Sequence, residues 1–207
     1  ASPRDGPSPQ APARWRTGSR AQIDPHRGGL VRWEDGAMGT GPNVHVRSAD
    51  LAGVDAIVVG RLVRAYLLQT EQEKAHEIAA QFTDADLPRR YVAEVEDPAR
   101  AYENARVLLA ELDGATVGVV VVQQVRDGVE IKRLWVDPRA RGQRVGSALL
   151  DAACYSANSL PMRLTVWDWR DDAIGLYRSR GFVAVPTWDR RPRLVCMEKP
   201  EISTNTL

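Results

Sequence analysis

The sequence predicts a mixed α/β domain in which helices flank a mostly antiparallel sheet of about six to seven strands. Three observations lead there. Two Asp-Gly pairs, Asp113-Gly114 and Asp127-Gly128, each separate apolar, β-rich runs and mark hairpins. The run after the second pair, residues 131–136, breaks at Asp137-Pro138, crosses a basic glycine-containing turn and becomes an Ala/Leu-rich helix from about Ser147. A further strand over 162–166 follows that helix, and a right-handed crossover would set it parallel to 131–136.

Residues 1–42 are rich in Pro, Gly, Ser and Arg and poor in branched apolar side chains. Such a stretch buries too little to offset its ordering entropy, so a disordered tail is expected, with Met38-Gly39 a natural start and the preceding part an extension. Residues 44–47 alternate as a strand, and Ser48-Ala49-Asp50 brings turn and cap chemistry. Over 51–74 apolar residues recur at helical spacing (Val54, Ile57, Val58, Leu62, Val63, Tyr66, Leu67), predicting one amphipathic helix or a broken pair. A short helix is expected over 77–82, then a loop with short helical pieces over 83–104.

Strands are expected at 106–112 and 116–125, completing a three-stranded meander with 131–136. The loop helix, from Ser147 to about Ala157, would bury Leu149, Leu150, Ala153 and Cys154. Residues 171–180 read as a helix stopped by Gly181. Residues 182–185 and 193–197 close the sheet, and 201–207 are left as a tail.

Composition bounds the class. With 207 residues, 43% of them hydrophobic, the chain can form one well-cored domain. A net charge of +1 argues against a nucleic-acid-coating protein. Cys154 and Cys196 are the only cysteines and form no C-x-x-C, which fits a reducing compartment and no disulfide framework. No apolar run reaches the roughly 20 residues of a membrane span. The expectation is a cytoplasmic protein, monomer or homodimer, without nucleic-acid or membrane partner. His26, His45 and His76 show no ligand spacing, so no metal is expected.

The strand–turn–helix unit carries the chemistry. The first N–H groups of a helix lack intrahelical partners, and the helix dipole adds to their pull on an anion. Arg139, Arg141 and Arg144 put positive charge at the same place, so a phosphate-bearing ligand is implied. The spacing excludes the nucleotide P-loop, because no Lys-Ser/Thr pair follows the second glycine. It also excludes the dinucleotide fingerprint, because Gly142 and Gly146 lie at the wrong interval.

What remains, Arg141-Gly142-Gln143-Arg144-Val145-Gly146, resembles the pyrophosphate loop of the GNAT (general N-acetyltransferase) superfamily, [RQ]-x-x-G-x-[GA], with Arg144 in place of the first glycine. Farther on, Leu164, Val166, Ala173, Leu176, Tyr177, Gly181 and Phe182 fall in register with that superfamily's L-x-V-x-x-x-N-x-x-A-x-x-L-Y-x-x-x-G-F, with Arg170 replacing the Asn. The resemblance runs over about residues 44–199 in element order, with the domain set at 43–200. It implies the GNAT fold, a sheet splayed between its two parallel strands, and use of acetyl coenzyme A as co-substrate.

The resemblance also implies roles. Leu134, Trp135 and Val136 would offer main-chain groups to the pantetheine arm and thioester. Arg141, Gly142, Gln143, Arg144, Val145, Gly146 and Ser147 would hold the diphosphate, while Arg170 and Ala173 would lie along the cofactor. Tyr177 matches the tyrosine that protonates the departing thiolate. A phenol with an ordinary pKa of about 10 suits that leaving group; the alternative is one more apolar position on an amphipathic helix. Glu130 is the candidate base, against a solvent-facing strand carboxylate in register with Lys132 or deprotonation through water. Asp168 is a weaker alternative base, and Trp167 and Trp169 are candidates for the acceptor pocket. The basic run Arg190-Arg191-Pro192-Arg193 reads as a solvated turn or as a contact for the cofactor's 3′-phosphate.

The expected function is transfer of an acetyl group from acetyl coenzyme A to a primary amine, a small molecule by preference, through direct attack in a ternary complex. Two other readings stand beside it. One is a GNAT-fold cofactor-sensing or interaction module with little turnover, motivated by Arg144 and Arg170. The other is a protein N-acetyltransferase recruited through the basic tail.

Overall fold

The computed structural model describes residues 43–78, 83, 87–158 and 160–200, together with the backbone of 19–24 and 30–35. Among the described residues nine strands form one sheet: β1 (Ser19–Asp24), β2 (Leu30–Asp35), β3 (Val44–Ser48), β4 (Ala105–Leu112), β5 (Ala115–Val125), β6 (Gly128–Val136), β7 (Met162–Trp167), β8 (Val183–Val185) and β9 (Leu194–Lys199). Their spatial order is β1-β2-β3-β4-β5-β6-β7-β9-β8. Every pairing is antiparallel except β6 with β7. The seven strands from β3 onward are those the sequence marks. β1 and β2 pair with each other in the segment expected to be a tail. The rest of that segment, Met38 included, and residues 201–207 lie outside the described residues.

The near-continuous apolar character of β4 and β5 has a direct cause, since both faces of the sheet are covered. Val107, Leu109, Val119 and Val121 pack with Val59, Val63 and Leu67 of helix α1 (Asp55–Glu77). Leu108, Ala110, Val120 and Val122 pack with Leu149, Leu150 and Ala153 of helix α4 (Val145–Ser156). Two short helices, α2 (Val92–Glu96) and α3 (Pro98–Ala101), complete the α1 layer, and α5 (Asp171–Arg178) completes the other. α1 is one unbroken helix that starts at Asp55, with 51–54 as a turn. Of the short helix expected over 77–82, Glu77 belongs to α1, Ile78 caps it, and 79–82 lie outside the described residues.

Turn chemistry behaves as the residues dictate. Asp113 (φ 50°) and Gly114 (φ 83°) both take left-handed backbone, as a two-residue hairpin of matching twist requires. Gly181 (φ 86°) follows α5; its N–H donates to the Arg178 carbonyl and that of Phe182 to the Tyr177 carbonyl, the double bond of a Schellman cap.

β6 carries the irregularity that matters. Val129 and Ile131 share one core with Leu134 and Val136, although their parity differs. Strict alternation would put 134 and 136 on the opposite face. The register explains the switch: Lys132 faces Val121 and Trp135 faces Val119, so two residues, 133 and 134, stand against Val120 alone. This is a β-bulge, and Arg133 absorbs it with φ 55°. The bulge turns Trp135 toward α1, where its ring joins the second core and its Nε1 donates to Gln69 Oε1 at 3.0 Å.

Candidate functional site

β6 and β7 are joined only at Val129–Met162 and Glu130–Arg163. Beyond that point the bulge bends β6 away, and the parallel pair opens into a cleft of about 1200 Å³. Its walls are the free stretch of β6, the end of β7, the N-terminal turn of α4, α5, and the inner face of α1. Tyr177, Glu130 and every residue expected along the cofactor line it except Gln143, whose amide instead donates to the Arg139 carbonyl at 3.2 Å.

The loop end is shaped for an anion. Asp137 accepts from Arg139 N at 2.9 Å and starts a single 3₁₀ turn over Pro138–Ala140. Gly142 (φ 77°) and Arg144 (φ 64°) then turn the chain left-handed into α4. α4 begins at Val145, two residues earlier than expected. Its first backbone bond runs from Ala148 N to the Arg144 carbonyl at 3.0 Å. The N–H groups of Val145, Gly146 and Ser147 therefore precede the ladder, and no side chain caps them. Arg144 now has a physical reading: its backbone position is one where glycine is at ease and an L side chain costs about 1 kcal/mol. Arg141 reaches inward, with Nε on the Val136 carbonyl at 3.2 Å and Nη2 on Gln69 Oε1 at 2.6 Å.

Tyr177 lies on the cleft wall of α5, buried, with its ring edge-on to Phe182 at 5.9 Å. Burial pushes its phenol well above the ordinary value, with Tyr66 nearby acting in the same direction. The group is thus protonated throughout the neutral range, and burial makes it a weaker acid than the ordinary phenol expected from the sequence.

Glu130 sits at the closed end, where β6 and β7 still pair. Arg163 donates to its Oε2 at 3.2 and 3.3 Å, and Lys132 lies 3.8 Å from Oε1. The in-register pairing with Lys132 is present, and an arginine from the parallel strand adds to it. Asp168 does not line the cleft; it is paired with Arg193 at 3.1 Å, and Arg193 also bonds Glu77 of α1 at 2.5 Å. Arg193 of the basic turn is thereby tied to α1. Arg191 of the same turn faces the cleft over Trp167, bonded to Asp189 at 2.6 Å.

Sequence reasoning missed the α1 wall. Tyr66, Gln69, Thr70 and Glu73 recur at helical spacing and face the cleft. Burial tends to raise the Glu73 carboxyl, but donors from Gln69 (2.6 Å), Arg170 (2.7 Å) and Trp169 (3.2 Å) outweigh it and hold the group below the usual range. Arg170 also donates to Thr70 Oγ1 at 2.9 Å. The arginine standing for the family's asparagine is thus committed to α1. In the sequence, the tyrosine at 66 and the polar residues at 69, 70 and 73 leave only a polar stripe on a helix otherwise packed on the sheet, a pattern that a solvated face shares.

A second ion pair fixes the bulge. Arg133 forks onto Glu94 of α2 at 2.6 and 2.7 Å, and Tyr102 donates to the same carboxylate at 2.7 Å. The guanidinium lies over the rings of Tyr66 and Tyr91 at 5.5 and 5.3 Å. The strained residue of the bulge is therefore clamped from the α1 layer.

Among the described residues no group of three or more His, Cys, Asp or Glu could hold a metal ion. No described helix is long and apolar enough to cross a membrane.

Comparison with known proteins agrees with this geometry. Residues 103–184, the span from just before β4 to within β8, match the model of an acetyltransferase (GNAT) domain. No curated protein matches the sequence. Among solved structures, the chain is similar to a protein of Klebsiella pneumoniae described as an acyl-CoA N-acyltransferase. The identity is 24%, with 76% of this chain and 97% of that one covered and a TM-score of 0.54. It is similar to a GNAT-family acetyltransferase of Staphylococcus aureus at 16% identity, 75% and 98% coverage and a TM-score of 0.55. A PaiA N-acetyltransferase of Thermoplasma acidophilum, solved in complex with coenzyme A, aligns at 16% identity, 76% and 98% coverage and a TM-score of 0.56. The matched span holds the meander, the bulged strand, the phosphate loop and the tyrosine helix: residues 103–184 match a GNAT acetyltransferase domain, and the fold is that of solved GNAT acetyltransferases.

Proposed function

We propose that the protein transfers an acetyl group from acetyl coenzyme A to a primary amine of a small molecule, by direct attack within a ternary complex. The observation that supports this most is the opening between β6 and β7, which runs from an uncapped helix N-terminus to a buried, protonated tyrosine. The donor set fits a diphosphate at one end: three backbone N–H groups, a glycine turn and Arg141. It fits an extended, amide-bearing arm along Leu134, Trp135 and Val136, which have no partner strand on the β7 side.

In this reading the amine nitrogen attacks the thioester carbonyl carbon, forming the C–N bond as the C–S bond breaks. Main-chain donors of the bulged strand stabilise the charge on the carbonyl oxygen. Tyr177 gives its proton to the departing sulfur, and Glu130, directly or through water, takes the proton lost by the amine. Arg163, 3.2 Å from Oε2, holds the Glu130 carboxylate in place at the closed end of the cleft.

The test is thiol release from acetyl coenzyme A across a panel of amines. The reading expects amine-dependent release that falls at least about 100-fold in kcat in Tyr177→Phe, with cofactor affinity kept. Equal turnover by Tyr177→Phe would remove the acid role, and release that no amine accelerates would remove the transferase reading.

A further inference from the structure

Cations outnumber carboxylates around the cleft, and the surplus is not evenly spread. Three of the arginines on its acceptor side have a carboxylate of their own: Arg133 has Glu94, Arg170 has Glu73 and Arg191 has Asp189, at 2.6, 2.7 and 2.6 Å. Two cations do not. Arg90 stands 3.8 Å from Glu71, whose same oxygen is already bonded to Lys74 at 2.6 Å. Lys132 stands 3.8 Å from Glu130, which Arg163 already holds at 3.2 Å. Two carboxylates thus each serve two cations, and among the described residues Arg90 and Lys132 are the under-neutralised members. Both face the cleft, with side chains 63% and 38% exposed. Arg90 also makes a long bond, 3.3 Å, to the Tyr91 hydroxyl and lies over that ring at 4.6 Å.

At Arg90 and Lys132 the wall attracts an anion, while Asp171 and Asp172 of α5 line another part of the cleft. The loop end has its own cations for a diphosphate, Arg141 and Arg144, so the acceptor-side surplus is separate from them. We infer that the acceptor is an amine that also carries a carboxylate, which Arg90 and Lys132 read while the amine points toward the open end of β6. This rests on the transferase reading and narrows its substrate class.

The test compares α-amino acids with their primary amides and with the decarboxylated amines, alongside spermidine, in the full-length protein. The amides have the less basic amine and would win on free-amine concentration alone, so a preference for the acids reports recognition of the carboxylate. The expected result is a kcat/KM about tenfold or more higher for acid than for amide. Arg90→Gln and Lys132→Gln should each raise KM for the acids about fivefold and leave KM for the amides unchanged, with kcat within about twofold in both cases. Arg90→Lys should restore most of the loss. Amides or spermidine equalling the acids, a ratio that neither substitution changes, or no turnover of any amino acid by protein that still binds acetyl coenzyme A would each overturn the inference. Failure to bind acetyl coenzyme A would instead sink the parent reading, and this inference with it.

Discussion

The two ends of the cleft are built on different principles. The loop end is made of backbone: helix N–H groups, a left-handed glycine, and a strand edge with no partner. The α1 end is made of side chains tied across layers, Arg133 to Glu94 and Arg170 to Glu73 and Thr70. Backbone sites tolerate much sequence change as long as the dihedrals can be adopted. Side-chain sites depend on each partner.

The largest expected effect falls on the side-chain end. Glu94→Gln would leave the Arg133 guanidinium, four-fifths buried, without its counter-charge, and should cost about 3 kcal/mol in a denaturant titration. Burial acts to raise the Glu94 carboxyl, but Arg133 outweighs it and holds the group below the usual range. With the folded pKa depressed, this contribution is fully present above the unfolded value of about 4.3 and fades as the pH falls through the lower folded value. The wild type should therefore lose stability in acid more steeply than Glu94→Gln. Parallel acid limbs would mean the pair does not couple to folding.

Next in size is Tyr177→Phe, with kcat down about 100-fold and cofactor affinity within about twofold. Glu130→Gln should lower kcat/KM about tenfold at pH 7, a deficit that shrinks as the pH approaches the amine's own pKa. A deficit constant with pH would favour a structural role in the pair with Arg163. The smallest effect belongs to the backbone end. Arg144→Gly relieves an αL side chain and should gain about 0.5–1 kcal/mol of stability. It also removes a cation, so coenzyme A affinity should fall roughly threefold.

The same division sets what the sequence could tell. The Asp113-Gly114 turn, the Gly181 cap, the meander and the parallel return of β7 were legible because each is a local rule of backbone chemistry. The loop was legible as a motif, although α4 starts at Val145, because Arg144 takes the left-handed turn that ends the loop. The bulge at Arg133 was not. Residues 131–136 read as an even apolar strand, and only the pairing register reveals the extra residue and the change of parity. The α1 wall was hidden for a similar reason. Gln69, Thr70 and Glu73 look like an ordinary polar helix face until Trp135, Arg141 and Arg170, 66 to 100 residues away, are brought to them.

The measurement that bears most directly on the account is a calorimetric titration of the protein with acetyl coenzyme A, repeated with desulfo-coenzyme A and with ATP. Micromolar binding of the first two, with ATP clearly weaker, is predicted, because the unpaired edge of β6 adds contacts to the pantetheine arm that ATP lacks. Equal binding of all three would reduce the site to a phosphate cradle. No binding at all would mean that Arg144 and the committed Arg170 close the cleft to coenzyme A, contradicting the account and favouring an interaction module on the same fold.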